Sequence, residues 1–217
     1  MPPNSQTGWT VVWDPFVRFG HWALVAAFAI AWLSGDDEAG DPELLHVWSG
    51  YAVGIIVALR IVWGFVGPRH ARFSDFVHAP AATFRYAYDL VLGRARRYLG
   101  HSPAGGAMII ALLVCLAGTV GTGLIEYGDR GKGPLAAAVG VVIVPAYADR
   151  DENHGQSNAE RRGESAERER VIGELHGALA NITLALVFIH VLGVVVTSVL
   201  HRENLVAAMV TGRKRIE

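Results

Sequence analysis

The chain has 217 residues, of which 52% are hydrophobic and 18% are charged, whereas a soluble domain usually carries about a quarter charged residues. This composition excludes a disordered chain and disfavours an ordinary soluble domain. The net charge of -1 excludes a strongly basic nucleic-acid binder. The single cysteine, Cys115, excludes an intramolecular disulfide, a CxxC zinc site, an iron–sulfur cluster and a covalent CxxCH haem attachment. Nine histidines are a surplus in so apolar a chain.

Four long runs with few charges predict membrane-spanning helices, because about 20 apolar residues cross a bilayer. The predicted spans are residues 16–35, 46–67, 104–125 and 175–200. A fifth apolar run, residues 134–148, is too short to span and indicates a re-entrant or surface-lying helix. We expect the first span to be retained, since no basic segment or cleavage site of a signal peptide accompanies it. The predicted fold class is all-α, an integral membrane four-helix bundle.

The distribution of lysine and arginine predicts that both termini are cytoplasmic. Eleven basic residues lie in the N-terminal tail, the 69–102 segment and the C-terminal tail, whereas the 36–45 loop has none and holds five acids. We interpret residues 10–205 as one membrane domain, residues 126–173 as a long external loop and residues 206–217 as a basic cytoplasmic tail. The polar stretch 149–170 in that loop is either a solvated helix or a flexible segment that faces a partner.

Four histidines lie within or at the ends of the predicted spans: His21, His46, His176 and His190. An ionisable residue inside a span is costly and marks a candidate functional site. His176 and His190 are 14 residues apart, which corresponds to about 21 Å along a helix and to nearly the same helix face. His46 matches the outer depth and His21 the inner depth. The pattern therefore predicts two cross-helix pairs, His46 with His176 and His21 with His190.

Two imidazoles at one depth suit the two axial positions of a haem iron, and helix bundles commonly house such sites. Gly50 and Gly54 follow His46 at intervals of one and two helical turns and would leave room for a porphyrin ring. Two histidines at each level fall short of the four ligands of a tetrahedral zinc site. The sequence therefore favours two haems over bound zinc.

Two arginines are candidates for the haem propionates, which favour basic partners when they are partly buried. Arg60 follows His46 by 14 residues, and Arg18 precedes His21 by three. Arg60 could instead extend its side chain to the membrane interface, and Arg18 could instead anchor the span at the cytoplasmic side. We interpret the five remaining histidines as surface residues: His70, His78, His101, His154 and His201.

Three segments of the chain resemble the prokaryotic cytochrome b561 family, which includes the b-type cytochrome subunits of nickel–iron hydrogenases. They are WDPFVRFGHW, LHVWSGYAVGIIVALRIVWGFVGPRHARFSDF and ELHGALANITLALVFIHVLG, and the resemblance covers roughly residues 10–80 and 103–205. It implies a multi-pass protein of the bacterial inner membrane with two non-covalent b haems. It also implies the axial ligands His21, His46, His176 and His190, with Arg60 on the propionate side.

The same resemblance implies electron transfer between a periplasmic redox partner and the quinone pool. The partner would be a cytochrome c or a dehydrogenase or hydrogenase subunit, and a homodimer is compatible with this interpretation. Two alternatives remain within redox chemistry: a superoxide:quinone oxidoreductase, and the membrane anchor subunit of a hydrogenase or another dehydrogenase. A third alternative is a haem-free transporter or scaffold whose histidines relay protons or bind metal.

Overall fold

The computed structural model describes residues 8–35, 44–136 and 154–216. Within these residues, two short strands and seven helices follow one another: β1 (Trp9–Val11), α1 (Pro15–Leu33), α2 (Leu44–Val66), α3 (Phe73–Phe76), α4 (Pro80–Val91), α5 (Pro103–Asp129), α6 (His154–His201), α7 (Leu205–Thr211) and β2 (Arg213–Arg215). A 3-10 turn, Arg69–Ala71, lies between α2 and α3.

Four of these helices are long and apolar enough to cross a membrane: α1, α2, α5 and the segment Ser165–His201 of α6. Their most apolar windows have mean hydropathies between 1.6 and 2.5, yet at most 22% of the residues in any window are buried within the chain. Apolar side chains that face outward indicate that lipid is their solvent. The protein is therefore an all-α integral membrane protein, as the sequence predicts.

Local sequence explains where the first span begins. Asp14 caps α1 by accepting a hydrogen bond from the backbone N–H of Val17 at 3.1 Å, and Pro15 occupies the first helical position. Aspartate is a preferred cap, and proline suits a position where no backbone donor is needed. The helix ends at Leu33, where the backbone N–H of Ser34 bonds back to the carbonyl of Ile30 at 3.0 Å.

The segment 126–173 differs in part from the external loop that the sequence predicts. Helix α5 continues to Asp129, and α6 begins at His154, well before the apolar run. Pairs four residues apart, such as Arg170 with Glu174 at 2.9 Å, support this polar part of α6. Of the two interpretations of residues 149–170, a helix therefore agrees with the backbone from residue 154 onward. Most of the apolar run 134–148, and the five acids of the 36–45 loop, lie outside the described residues.

The structure divides into two compact units. The first comprises residues 1–114 and 184–217, and the second comprises residues 115–183. In the first unit, α1 packs along α2 and also meets the C-terminal part of α6, where His21 contacts His190. In the second unit, α5 and α6 pack closely, since a Cβ atom added at Gly118 would lie 3.2 Å from the side chain of Leu179.

The C-terminal segment, predicted as a basic tail, is folded within the first unit. It forms α7 and then β2, which pairs antiparallel with β1 so that Trp9 lies opposite Arg215 and Val11 opposite Arg213. The intervening Lys214 is only 6% exposed. Three-residue strands produce no recognisable periodicity in a sequence, which explains why this ribbon was not predicted.

Candidate functional site

The inner pair of histidines is brought together within the first unit. His21 lies in the second turn of α1 and His190 lies on α6, and their ring centroids are 6.5 Å apart. An imidazole nitrogen typically binds a metal ion at about 2.0 Å. Two imidazoles on opposite sides of one iron therefore place their ring centroids roughly 6 Å apart. The observed separation fits a pair of axial ligands.

A second feature of the inner pair also fits a bound group. The Nδ1 atom of His21 is buried and has no hydrogen-bond partner among the described residues. Buried polar atoms without partners are rare in folded proteins and usually indicate a missing water, ion or ligand. A Cβ atom added at Gly20, the residue before His21, would meet nothing within 4 Å, so there is open space beside α1 at Gly20.

His46 is oriented by a backbone hydrogen bond in the first unit. Its Nδ1 lies 2.8 Å from the carbonyl oxygen of Ala31 on α1. Because a carbonyl can only accept, Nδ1 carries the proton and Nε2 carries the lone pair. Histidine ligands of metals commonly donate their other N–H in this way. Gly35 permits the arrangement, since a Cβ atom there would lie 3.3 Å from the ring of His46.

His176 has an equivalent arrangement in the second unit. Its Nδ1 donates to the carbonyl oxygen of Thr119 on α5 at 2.9 Å and lies 3.3 Å from the hydroxyl of Thr122. The same tautomer follows, with the lone pair on Nε2. Gly123 allows α5 to approach the ring, because a Cβ atom at that position would lie 2.9 Å from its Cε1. The absence of a side chain at Gly123 therefore allows His176 to occupy its position against α5.

The small residues predicted to leave room for a porphyrin lie on α2. A Cβ atom added at Gly50, one turn beyond His46, would meet nothing within 4 Å. Gly54, one turn further along, is partly buried. The open space at Gly50 fits the predicted role.

The two arginines have specific contacts in the first unit. The guanidinium carbon of Arg60 lies 5.5 Å from the ring centroid of Phe73 and 6.0 Å from that of Phe76. One of its terminal nitrogens, Nη1, is buried without a hydrogen-bond partner among the described residues. Arg18 donates through Nη2 to the carbonyl of Val210 in α7, while its Nε is buried and has no partner in the described part of the chain. Both guanidinium groups therefore retain a donor that a propionate could accept.

The donor set suits haem better than a metal ion held by protein alone. Within the described residues, no group of three or more histidine, cysteine, aspartate or glutamate side chains could hold a metal ion. A haem iron needs only two ligands from the protein because the porphyrin supplies four. The residues present therefore fit haem.

His101 contradicts the expectation that it lies on the surface. Its ring packs between Trp13 and Phe76, with centroid distances of 4.4 and 4.6 Å, and its Nδ1 is inaccessible to solvent. Burial, and then the positive charges of Arg60 and Lys214, lower the pKa of His101 to about 3. No pattern near His101 in the sequence predicts this burial, because the aromatic partners come from distant segments.

Spanning helices that carry histidines, with the rings of His21 and His190 side by side, suit a membrane-bound b-type cytochrome, and comparison with known families agrees. The family model of prokaryotic cytochrome b561 matches residues 12–212. The chain belongs to this family. Membership supports b-type haem binding and a role in electron transfer, and it argues against a haem-free transporter or scaffold. No curated protein and no solved structure shows significant similarity to the chain.

Proposed function

We propose that the protein binds two non-covalent b haems, one between His21 and His190 and the other between His46 and His176. In this proposal it transfers electrons between a periplasmic redox partner and the quinone pool of the bacterial inner membrane. The partner is a cytochrome c or a dehydrogenase or hydrogenase subunit. The observation that carries the proposal is the 6.5 Å separation of the His21 and His190 rings on two spanning helices.

Haem iron supplies one-electron oxidation and reduction without a proton transfer at the metal. The chain's own contribution begins with its histidines. The carbonyls of Ala31 and Thr119 accept the Nδ1 protons of His46 and His176, so Nε2 of each ring would be the nitrogen that binds the iron. Such hydrogen bonds fix the ring orientation and raise the basicity of the ligand. Apolar spans exclude water from the ligands and thereby help to set the redox potentials.

Arg60 and Arg18 contribute charge on the propionate side in this proposal. The buried Nη1 of Arg60 and Nε of Arg18 lack partners within the described residues. A carboxylate would satisfy such donors and neutralise the guanidinium charge. The aromatic rings of Phe73 and Phe76 hold the guanidinium of Arg60 in place.

The direction of insertion follows from the charge distribution, and we propose cytoplasmic termini. His21 and His190 then form the inner pair, and His46 and His176 form the outer pair. The acidic residues of the outer loops would favour a partner with a basic docking surface.

Haem stoichiometry tests the first part of the proposal. Pyridine haemochrome analysis of the purified full chain should give two b haems per chain. Membranes from the same host without the chain are the control. Zero or one haem per chain would overturn the two-pair arrangement, and the lack of a Soret band would overturn haem binding altogether.

Electron transfer is tested separately in sealed vesicles that contain the protein. With a quinol in the membrane and oxidised cytochrome c outside, the wild type should reduce cytochrome c, and His46→Ala should not. If wild-type protein with both haems does not reduce cytochrome c when quinol is supplied, only the proposed quinone step would be overturned. Reduction of quinone by superoxide through the isolated protein would instead favour the superoxide:quinone oxidoreductase.

A further inference from the structure

A cleft of about 570 Å³ lies in the first unit beside the two-stranded ribbon. Its volume is within the range of about 300–1,000 Å³ that is typical of small-molecule sites. Four cationic residues line it, Arg202, Arg213, Lys214 and Arg215, together with one carboxylate, Glu203. The cleft therefore has an excess of positive charge.

The one carboxylate in the lining does not neutralise the arginines. Glu203 accepts a hydrogen bond from Nε of Arg97 at 2.7 Å, and its other oxygen lies 3.7 Å from Nζ of Lys214. In the part of the chain that the structure describes, the side chains of Arg202, Arg213 and Arg215 make no ion pair. Three guanidinium groups thus remain available to an anionic ligand.

Exposed apolar side chains border these cations. Because side chains on a strand alternate between its two faces, Arg213 and Arg215 share one face of the ribbon with Trp9 and Val11 opposite them. Trp9 is 68% exposed and Val11 is 65% exposed. The surface therefore combines cationic groups for a phosphate with an aromatic and an aliphatic group for hydrocarbon.

The position along the chain places this surface at the edge of the bilayer. Arg202 directly follows His201, the last residue of the fourth spanning helix, and β1 lies a few residues before Pro15, where the first span begins. Headgroups lie immediately outside the hydrocarbon core that the spans cross. Tryptophan and arginine are both favoured at this depth.

We propose that the cleft binds the headgroup of an acidic phospholipid from the leaflet at this end of the spans. Arg202, Arg213 and Arg215 bind the phosphate, while Trp9 and Val11 contact the upper part of the acyl chains. The apolar border favours a lipid over free phosphate, which has no hydrocarbon to bury. The bound lipid joins the ribbon to the end of α6. This proposal does not depend on the number of haems.

Native mass spectrometry of the full chain in detergent tests the proposal, with phosphatidylglycerol as the probe and phosphatidylcholine as the uncharged comparison. The double variant Arg213→Gln with Arg215→Gln should bind phosphatidylglycerol about tenfold more weakly. Its matched control is Arg94→Gln with Arg96→Gln, which removes the same charge from two exposed arginines outside the cleft and should bind as the wild type does. Binding of phosphatidylcholine should not change in either variant.

A third variant, Arg202→Gln, probes the side of the cleft next to the end of α6, and it should also weaken phosphatidylglycerol binding. All three variants should unfold at the wild-type temperature when no lipid is added, which separates lost binding from lost folding. Equal weakening in the control pair would overturn the proposal, since it would indicate general electrostatic attraction. Displacement of the lipid by inorganic phosphate at equal concentration would likewise overturn it in favour of free phosphate.

Discussion

The imidazole rings of His21 and His190 lie with their centroids 6.5 Å apart, although one belongs to the first spanning helix and the other to the last. Ionisable side chains inside a membrane span carry a free-energy cost, so two of them side by side indicate a shared function. The separation leaves space for one metal atom between the two rings. This relationship supports the proposed inner haem and yields the first prediction.

Replacing His190 with alanine should remove one of two haems, because an iron with a single axial imidazole is held weakly in a non-covalent site. His21→Ala should remove the same haem and leave the same residual spectrum. The pyridine haemochrome value should fall by about half in each variant. His78→Ala, outside the spanning helices, is the control and should keep both haems. Loss of different spectral components in His190→Ala and His21→Ala would contradict the pairing.

Gly123→Ala should disturb the outer site, because the new Cβ atom would lie 2.9 Å from Cε1 of His176. The ring would have to shift away from the carbonyl of Thr119, with loss of the bond that orients it. We expect the second haem to be lost or bound substoichiometrically. Gly121→Ala on the same helix is the matched control, since a Cβ atom there meets nothing within 4 Å.

In the control variant, alanine should raise the free energy of unfolding by up to about 1 kcal/mol through its better helix propensity. Absorption spectra and thermal unfolding of both variants provide the measurement. Equal haem content in Gly123→Ala and Gly121→Ala would argue against a tight contact between α5 and His176.

Glu203→Gln should destabilise the folded end of the first unit. Glu203 lies between Arg97 and Lys214, and these side chains are only 17% and 7% exposed. Removing the carboxylate takes the counterion from the partly buried Lys214 and one ion-pair partner from Arg97, so we expect a loss of roughly 2–4 kcal/mol. Glu174→Gln breaks an ion pair in which both side chains are more than 60% exposed, and it should cost at most about 0.5 kcal/mol. Titration with a denaturing detergent measures the free energy of unfolding of each variant. Similar losses of stability in Glu203→Gln and Glu174→Gln would contradict the prediction.

His101 should make stability depend on pH. Burial lowers its pKa from 6.5 to about 3, so below pH 6.5 the unfolded chain takes up a proton that the folded protein does not. Stability is therefore full above about pH 6.5 and falls with decreasing pH, by at most about 1.4 kcal/mol per unit, until pH 3 is reached. The His101→Phe variant should lose this pH-dependent part of the free energy of unfolding, while the phenyl ring keeps the aromatic packing.

The measurement for His101 is the difference in free energy of unfolding between wild type and His101→Phe at several pH values from 7 down to 4. The subtraction removes the contribution of the proposed haem ligands, which both proteins share. A difference that stays constant with pH would show that His101 has the same pKa in the folded and unfolded states, which would contradict the prediction.

Much of the fold was predictable because its signals are local. The lengths of the apolar runs predicted four spanning helices, and the structure has four helices that are long and apolar enough to cross a membrane. The order of the histidine motifs predicted the family, and the match over residues 12–212 confirms it. The rise of 1.5 Å per residue predicted that His21 and His190 lie at similar depths, and their rings do lie side by side. The ligand pairs themselves stay predictions.

The tertiary structure decided the features that depend on contacts between distant segments. The sequence by itself determined which helices cross the membrane and which histidines lie in them, because hydropathy and helical rise act along one segment. It did not indicate that β2 pairs with β1, that Lys214 is buried, or that His101 packs between Trp13 and Phe76. Each of these depends on chain ends and loops that meet only after folding, where burial and packing outweigh local preference. The same contacts create the cationic cleft at the end of the spans, which the sequence shows only as scattered arginines.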